Sequence, residues 1–206
     1  YLNIWVCKLS GTTLGYATLP STLSIADGSD GVVIDFEAFG TMGTAKTPYN
    51  LGRTATHEVG HWLNLKHIWG DDEGTGNICS LSDNVSDTPN QGIATTGCPS
   101  ATITDACTTT APGIMYQNYM DYTDDACMVM FTIKQSDRMQ AVFSGIRSAI
   151  VTSNKCLSSG VVHPLTDKIR IYPNPAENYL TIEGLPSTKS RIFNIDFYNI
   201  LGEKVY

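Results

Sequence analysis

The chain has few basic residues, and one long segment has none. From residue 67 to residue 133 there is no Lys or Arg, and the net charge of the chain is −7 at pH 7. The segment contains nine acidic residues, which are Asp71, Asp72, Glu73, Asp83, Asp87, Asp105, Asp121, Asp124 and Asp125. This charge disfavours nucleic acid and anionic membrane surfaces as partners, so we expect neither, whereas it suits Ca²⁺ or cationic side chains of a substrate. For any single acid, a solvated acidic loop is the alternative interpretation.

Long apolar runs are also missing. No stretch of about 18 consecutive apolar residues occurs, so we expect no transmembrane helix and no insertion into a membrane. No signal peptide opens the chain, but Tyr1 leads directly into an apolar, strand-like segment. We therefore interpret the sequence as a fragment of a longer precursor. Its 206 residues, 42% of them hydrophobic, suit one medium domain with a small appendage.

The six cysteines include no Cys-x-x-Cys pair, which argues against a zinc ribbon. Four of them, Cys79, Cys98, Cys107 and Cys127, lie in a segment rich in turn-forming residues. Disulfides that hold an irregular region together in an oxidising compartment explain this distribution better. Four cysteines allow three pairings, and the spacing does not choose among them. Cys7 and Cys156 remain as a further candidate pair.

Residues 57–67 carry the clearest chemical signal, with three histidines and one glutamate in the run His-Glu-Val-Gly-His-Trp-Leu-Asn-Leu-Lys-His. On a helix, His57 and His61 lie about 40° apart around the axis and roughly 6 Å apart along it. Both imidazoles can therefore reach one metal ion from the same face. Glu58 lies beside the first of them, where its carboxylate can hold a water on the metal without being a ligand.

The third histidine can join the site only if the helix ends before it, because ten further helical residues rise about 15 Å. Asn64 marks the expected end, since Asn tolerates the left-handed conformation of a sharp helix terminus. The sequence thus predicts a Zn²⁺ ion held by His57, His61 and His67, with a fourth position open for water. All three clustered histidines then serve the metal, which excludes a Ser-His-Asp triad.

The spacing His-Glu-x-x-His-x-x-x-x-x-His resembles that of the metzincin zinc peptidases, which normally have Gly where this chain has Asn64. Residues 118–122, Asn-Tyr-Met-Asp-Tyr, fit the methionine turn of that clan. Segments 2–7, 31–35, the zinc helix and 120–128 follow in matching order, and the resemblance extends over about three quarters of the chain. With them the resemblance narrows to the pappalysin-like family and its bacterial cytophagalysin-type members.

This resemblance implies a role for each matching residue. His57, His61 and His67 would be the zinc ligands and Glu58 the general base. Met120 would form the hydrophobic floor of the zinc site. The hydroxyl of Tyr122 would assist at the metal or stabilise the tetrahedral intermediate. The family also favours the disulfides Cys79–Cys107 and Cys98–Cys127.

Substrate preference and structural calcium follow less directly. In this clan the segment after the methionine turn borders the pocket beyond the scissile bond, and here it contains Asp124 and Asp125. We therefore hypothesise a preference for Arg or Lys on the prime side. The alternative is that both aspartates cap turns or bind calcium. The best candidate Ca²⁺ ligands are Asp83, Asp87 and Thr88.

The expected fold class is α+β. We predict a metzincin-like catalytic domain over residues 1–157, with a mixed twisted sheet, a long zinc helix, a C-terminal helix and a cleft between two unequal lobes. The strand-like runs are 2–9, 15–20 and 31–36. Thr54 and Thr56 are candidate caps or first-turn residues of the zinc helix, and apolar spacing over 132–150 is typical of an amphipathic helix.

After a linker over 158–168, the sequence pattern of residues 169–206 differs from that of the catalytic part. Three strand-like runs, 169–172, 179–182 and 192–198, are separated by turn signals. The run Tyr-Pro-Asn-Pro-Ala at 172–176 resembles the C-terminal sorting domain of bacterial type IX secretion cargo, here cut short. We expect a partial all-β, sandwich-like domain that contacts the secretion machinery. A carbohydrate-binding or adhesive β-sandwich is the alternative.

Together these features predict a secreted or cell-surface zinc endopeptidase, monomeric, that acts on protein or peptide substrates. Two alternatives remain from the residues alone. One is a non-catalytic binding or adhesion module with structural zinc, although structural zinc sites usually have four protein ligands. The other is a metal-dependent hydrolase of non-peptide substrates.

Overall fold

The computed structural model describes residues 1–22, 28–71, 78–153, 170–172, 181–183 and 204. The chain divides into two compact units, Tyr1–Cys156 and Leu157–Tyr206. The first unit holds every candidate site residue discussed below. The predicted linker, residues 158–168, lies outside the described residues, so its boundaries stay a prediction.

A three-stranded mixed sheet opens the first unit. Its strands are β1, Asn3–Cys7, β2, Gly15–Ala17, and β3, Gly31–Asp35, in the order β1-β3-β2. β1 runs parallel to β3, whereas β2 runs antiparallel to it. The β-branched run of β3 is suited to a buried central strand, and Val32 and Ile34 are fully buried. The three strands lie inside the predicted strand-like runs.

The zinc helix, α1, spans Arg53–Trp62 and packs against β2 and β3. At its end Trp62 joins Val32 and Ile34 in one apolar cluster. A second cluster below the helix contains Leu65, Ile68, Trp69 and Met120. The helix therefore lies between two apolar layers, and the ring nitrogens it presents lie close to the core.

α1 has Thr54 and Thr56 among its first four residues, which is one of the two roles predicted for them, and neither is its cap. Its N-cap residue is Gly52, with φ 76°, and no side chain next to it in sequence caps the first turn. Thr54 is buried within the helix. Instead, Oδ2 of Asp125 accepts hydrogen bonds from the backbone N–H groups of Leu51, at 2.7 Å, and Arg53, at 3.2 Å. The cap is a tertiary contact across more than 70 residues, which local sequence reasoning does not find.

The predicted helix over 132–150 is two helices, α2 at Ile133–Ser144 and α3 at Ser148–Val151. α2 begins with a capping box, in which Thr132 and Gln135 exchange side-chain and backbone hydrogen bonds. Gly145, with φ −117° and ψ −121°, is not helical and ends α2. Because the chain turns there, Arg147 enters the core and Ile146 is exposed.

Between α1 and α2 the described residues form turns and irregular backbone, with only a short 3₁₀ helix at Ile78–Ser80. Two disulfides, Cys79–Cys107 and Cys98–Cys127, hold this region together. These are the pairings that the family resemblance favoured. Cys7 pairs with none of the described cysteines, and its predicted partner Cys156 lies outside them.

In the second unit, β4, Arg170–Tyr172, pairs antiparallel with β5, Thr181–Glu183. Both strands overlap predicted ones, while the third predicted strand, 192–198, lies outside the described residues. The longest described helix has 12 residues, and no helix in the described ranges has the length and apolar character to cross a bilayer.

Candidate metal centre

Three imidazoles converge at the end of α1. His57 and His61 lie on the helix, and His67 returns to them after the turn. Nε2 of His67 lies 3.2 Å from Nε2 of His57 and 3.0 Å from Nε2 of His61. In a tetrahedral site with Zn–N bonds of about 2.0–2.1 Å, ligand nitrogens are about 3.3–3.4 Å apart, so the spacing fits one zinc ion.

The turn that brings His67 back follows the predicted logic. α1 ends at Trp62, and Asn64 has the left-handed φ of 75°. The N–H of Leu65 donates to the carbonyl of Gly60 at 2.9 Å, which closes the helix end. From α2, Nε of Arg138 donates to the carbonyl of Asn64 at 2.7 Å and holds the turn from outside.

The second nitrogen of each ring identifies the tautomer. Nδ1 of His57 lies 2.6 Å from the carbonyl of Tyr119, Nδ1 of His61 lies 2.9 Å from that of Leu65, and Nδ1 of His67 contacts the carboxylate of Asp71. Each Nδ1 therefore carries the proton, and three unprotonated Nε2 atoms face each other. Three nitrogen lone pairs that face each other with no proton between them repel one another, and a bound cation would remove this repulsion.

Burial keeps the two helical rings neutral. It lowers the pKa of His57 well below its ordinary value, and the neighbouring imidazoles His61 and His67 add to the effect. Burial, together with repulsion from His67, lowers the pKa of His61 to about 4. Neutral imidazole is the form that binds a metal, so these two rings are ready as ligands at neutral pH.

Glu58 lies beside the imidazoles, on the wall of a cavity of about 410 Å³ that His57 and Tyr122 also line. Burial raises the pKa of this carboxyl to about 8. Gly15 of β2 leaves room for it, because a Cβ at residue 15 would lie 3.0 Å from Oε1 of Glu58 and 3.0 Å from the carbonyl of Val33. No sequence signal identified this glycine, since its function depends on how the strand and helix meet.

Met120 lies beneath the helix with no exposed surface. A Cβ at Gly60 would lie only 2.5 Å from its sulfur, so the absence of a side chain at residue 60 lets the methionine pack against the zinc helix. The turn is held by Asn118, whose Oδ1 accepts the N–H of Met120 at 2.9 Å. The role of Met120 as the floor of the zinc site stays a prediction.

Tyr122 lies next to the imidazoles, with its ring centroid 5.6 Å from that of His57 and 4.8 Å from that of His67. Its N–H donates to Oδ1 of Asp121 at 2.8 Å. Asp121 is fully buried and also accepts from Gln91 and from the N–H of Thr95. The sequence indicated Asp121 only as one acid among nine, because its partners lie about 30 residues away.

The two candidate specificity residues differ in position. Asp125 lines the cavity, whereas Asp124 is not among the lining residues. Asp125 is nearly fully buried, and its Oδ2 caps α1 as described above. The alternative interpretation, that Asp125 acts as a cap, therefore holds for its Oδ2. Neither of the two hydrogen bonds to α1 involves Oδ1.

The three candidate calcium ligands are not brought together as one set. Oγ1 of Thr88 lies 2.9 Å from both carboxylate oxygens of Asp83 and 2.9 Å from the carbonyl of Val85. Asp87 instead accepts hydrogen bonds from Thr132 and from the N–H of Lys134, at the start of α2. Asp87 thus caps α2. The sequence analysis had considered it only as a calcium ligand.

Comparison with known proteins identifies the family. Residues 1–144 match the sequence profile of peptidase family M43, described as pregnancy-associated plasma protein-A. The chain belongs to this family. Residues 170–206 match the secretion system C-terminal sorting domain. Both predicted resemblances are confirmed.

Individual relatives agree with this assignment. An extracellular metalloprotease of Podospora anserina is 38% identical over 149 residues, which are 71% of this chain and 48% of the relative. One of Verticillium alfalfae is 40% identical over 151 residues, or 71% of this chain and 51% of the relative. The chain spans about half the length of these curated relatives.

Among solved structures, mature mirolysin of Tannerella forsythia in complex with a cleaved peptide is 56% identical, with a TM-score of 0.68. The match covers 72% of this chain and 55% of that one. At this identity and score the predicted metzincin-like α+β fold is confirmed. The match to the sorting domain supports the predicted export by type IX secretion, and the two curated relatives are named as extracellular.

Proposed function

We propose that the chain carries the catalytic part of a zinc endopeptidase that hydrolyses protein or peptide substrates outside the cell. The observation that carries the proposal is the convergence of three unprotonated Nε2 atoms beside Glu58 at the wall of an open cavity. Among the described residues no fourth His, Cys, Asp or Glu joins this group. Three protein ligands and one open position are typical of catalytic rather than structural zinc.

Glu58 is the proposed general base and acid. When bound, Zn²⁺ would polarise the scissile carbonyl, lower the pKa of water to about 7 and favour the carboxylate form of Glu58. The Glu58 carboxylate takes the proton of the attacking water and then delivers it to the nitrogen of the leaving amine. The hydroxyl of Tyr122 donates a hydrogen bond to the oxygen on which negative charge develops. Met120 and its apolar neighbours exclude water from below.

A preference for basic residues is proposed for the same cavity. Asp125 is a buried carboxylate on the cavity wall, and both of its described side-chain hydrogen bonds reach Oδ2. Its Oδ1 is the atom that would pair with an Arg or Lys side chain of the substrate.

We expect peptides with Arg beyond the scissile bond to be cleaved at least about tenfold faster than matched peptides with Leu, a difference of about 1.4 kcal/mol. Asp125→Asn, which keeps an oxygen for the cap of α1, should remove most of this ratio in kcat/KM. Asp124→Asn is the matched control and should keep the ratio. Equal rates for Arg and Leu peptides with the unaltered chain would refute the preference.

A structural Ca²⁺ ion is proposed at Asp83, Thr88 and the carbonyl of Val85. One hydroxyl proton on Thr88 can be donated to only one of its three oxygen neighbours. Oδ1 of Asp83 also accepts the backbone N–H of Val85 at 3.0 Å, while Oδ2 of Asp83 and the carbonyl of Val85 have no described partner besides Thr88. Ca²⁺ prefers such a set of carboxylate, carbonyl and hydroxyl ligands. Asp87 is left out of this proposal because both of its oxygens are used by α2.

Metal removal tests the function and separates the two ions. The chain is stripped of metal and then given Zn²⁺ alone, Ca²⁺ alone or both. We expect casein cleavage only when Zn²⁺ is present, and a higher melting temperature with Ca²⁺ that is lost in Asp83→Asn. Cleavage of casein by the fully stripped protein would overturn the zinc peptidase proposal. A melting temperature that does not respond to Ca²⁺ would overturn the calcium site alone.

A further inference from the structure

The three ligand rings differ in what holds them. His57 and His61 are fixed by α1, and their Nδ1 atoms bond to the backbone carbonyls of Tyr119 and Leu65. His67 lies beyond the helix, and its Nδ1 bonds to a side chain, the carboxylate of Asp71. Among the described contacts of the three Nδ1 atoms, Asp71 is the one partner that a substitution can remove.

The backbone between His67 and Asp71 is folded so that this contact can form. Gly70 and Asp71 are consecutive left-handed residues, with φ of 93° and 64°. The N–H of Gly70 donates to the carbonyl of His67 at 2.9 Å and closes the turn. A Cβ at Gly70 would lie 2.6 Å from the backbone N of Ser82, so the turn is tightly packed. The Asp71 carboxylate is thereby returned to the ring four residues earlier.

One oxygen of Asp71 serves the third ligand twice. Oδ1 accepts the ring proton on Nδ1 of His67 and also lies 3.2 Å from the backbone N–H of the same residue. The imidazole is further stacked on Trp69, with centroids 4.3 Å apart and planes at 4°, and meets the edge of Tyr122. The faces of the ring are fixed by aromatic packing, whereas its tautomer is fixed by Asp71.

We propose that Asp71 is a positioning residue for the third metal ligand, which it holds in the Nδ1–H tautomer with Nε2 directed at the metal. A carboxylate behind a ligating imidazole also increases the basicity of the ligand. Asp71 therefore sets the affinity of the centre for its metal. The inference depends on the proposed zinc function in one respect, which is that the bound ion is zinc.

The test is zinc affinity of the whole chain, measured by competition with a chelator of known affinity. Asp71→Ala should weaken zinc binding by about 10- to 100-fold, the usual effect of removing such a partner. Asp71→Asn keeps an acceptor oxygen but loses the charge, so we expect a loss of several-fold, between the two. Asp137→Ala, on the exposed face of α2, is the control and should bind zinc as the unaltered chain does.

Two further readouts separate positioning from a merely structural role. The metal-free variants should melt within a degree or two of the metal-free parent, and the visible absorption spectrum of the Co²⁺-loaded protein should change in Asp71→Ala. Unchanged zinc affinity in Asp71→Ala overturns the inference, as does an equal loss of melting temperature with and without metal. If Asp71→Ala does not fold, unchanged affinity in Asp71→Asn overturns it.

Failure of this inference is distinct from failure of the proposed function. A parent chain that binds zinc but cleaves no casein removes the peptidase proposal and leaves the Asp71 comparison intact. An active parent whose Asp71→Ala variant binds zinc equally well removes only the role of Asp71.

Discussion

Replacing Glu58 by alanine is expected to lower kcat for casein or peptide cleavage by a factor of at least about 10²–10⁴ while zinc stays bound at one ion per chain. A general base of this kind contributes about that much to the rate. Zinc should be retained because Glu58 is outside the group of three imidazoles. The measurement pairs initial rates with metal content of the purified protein.

Two comparisons make this result specific. Glu58→Gln keeps the volume of the side chain but cannot accept the proton, so it should be as inactive as the alanine variant. Asp137→Ala removes an exposed carboxylate on α2 and should be fully active. Because burial of the charged Glu58 carboxylate costs folding free energy, neither substitution at residue 58 should lower the melting temperature. Unchanged proteolysis in Glu58→Gln would refute the proposed role.

The largest effect on stability is expected at Arg147, a nearly fully buried guanidinium that joins three parts of the first unit. Its Nη1 donates to Oδ2 of Asp30 at 2.6 Å, its Nε to the carbonyl of Trp62 at 3.0 Å, and its Nη2 to the carbonyl of Thr18 at 3.2 Å. The guanidinium also lies 3.9 Å from the centre of the Trp62 ring. It therefore fixes the end of the zinc helix to the sheet.

Arg147→Met should lower the free energy of unfolding by about 3–5 kcal/mol, because the largely buried Asp30 carboxylate loses its charged partner and two carbonyls lose the donors that Arg147 provides. Urea titration followed by tryptophan fluorescence measures it, since all three tryptophans lie in the first unit. Lys134→Met breaks the exposed pair with Asp137 and should cost no more than about 1 kcal/mol. Equal losses in both variants would contradict the assigned role of Arg147.

A second substitution tests whether charge pairing is the cause. Asp30 also accepts the indole N–H of Trp62 at 2.9 Å, and Asn at this position can still accept it. Adding Asp30→Asn to Arg147→Met removes the unpaired negative charge, so the double variant should recover part of the lost free energy. No recovery would indicate that packing against Trp62, rather than the ion pair, dominates.

The sequence was sufficient to predict those features of the metal site that depend on the spacing of nearby residues. The spacing of four from His57 to His61 places both on one helix face, and Asn64 adopts the left-handed turn that its residue type favours. The methionine turn was found from its own short motif. The central strand β3 was found from its β-branched run.

Contacts between distant segments could not be read in the same way. Asp125 was expected to recognise a substrate, and it also caps α1 from more than 70 residues away. Asp87 was expected to bind calcium, and it caps α2. In both cases the sequence showed a carboxylate, but which N–H groups it meets depends on how the irregular loops fold over the helices.

The sequence by itself determined the zinc-helix motif, the order of the main elements, the disulfide-rich irregular region and the family. These features depend on helical periodicity, on turn-forming residue types and on motifs a few residues long. The tertiary structure alone decided that Gly15 admits Glu58, that Gly60 admits Met120 and that Asp71 and Arg147 hold the centre in place. Those contacts depend on the close approach of segments far apart in the chain, and no local pattern of residues specifies such an approach.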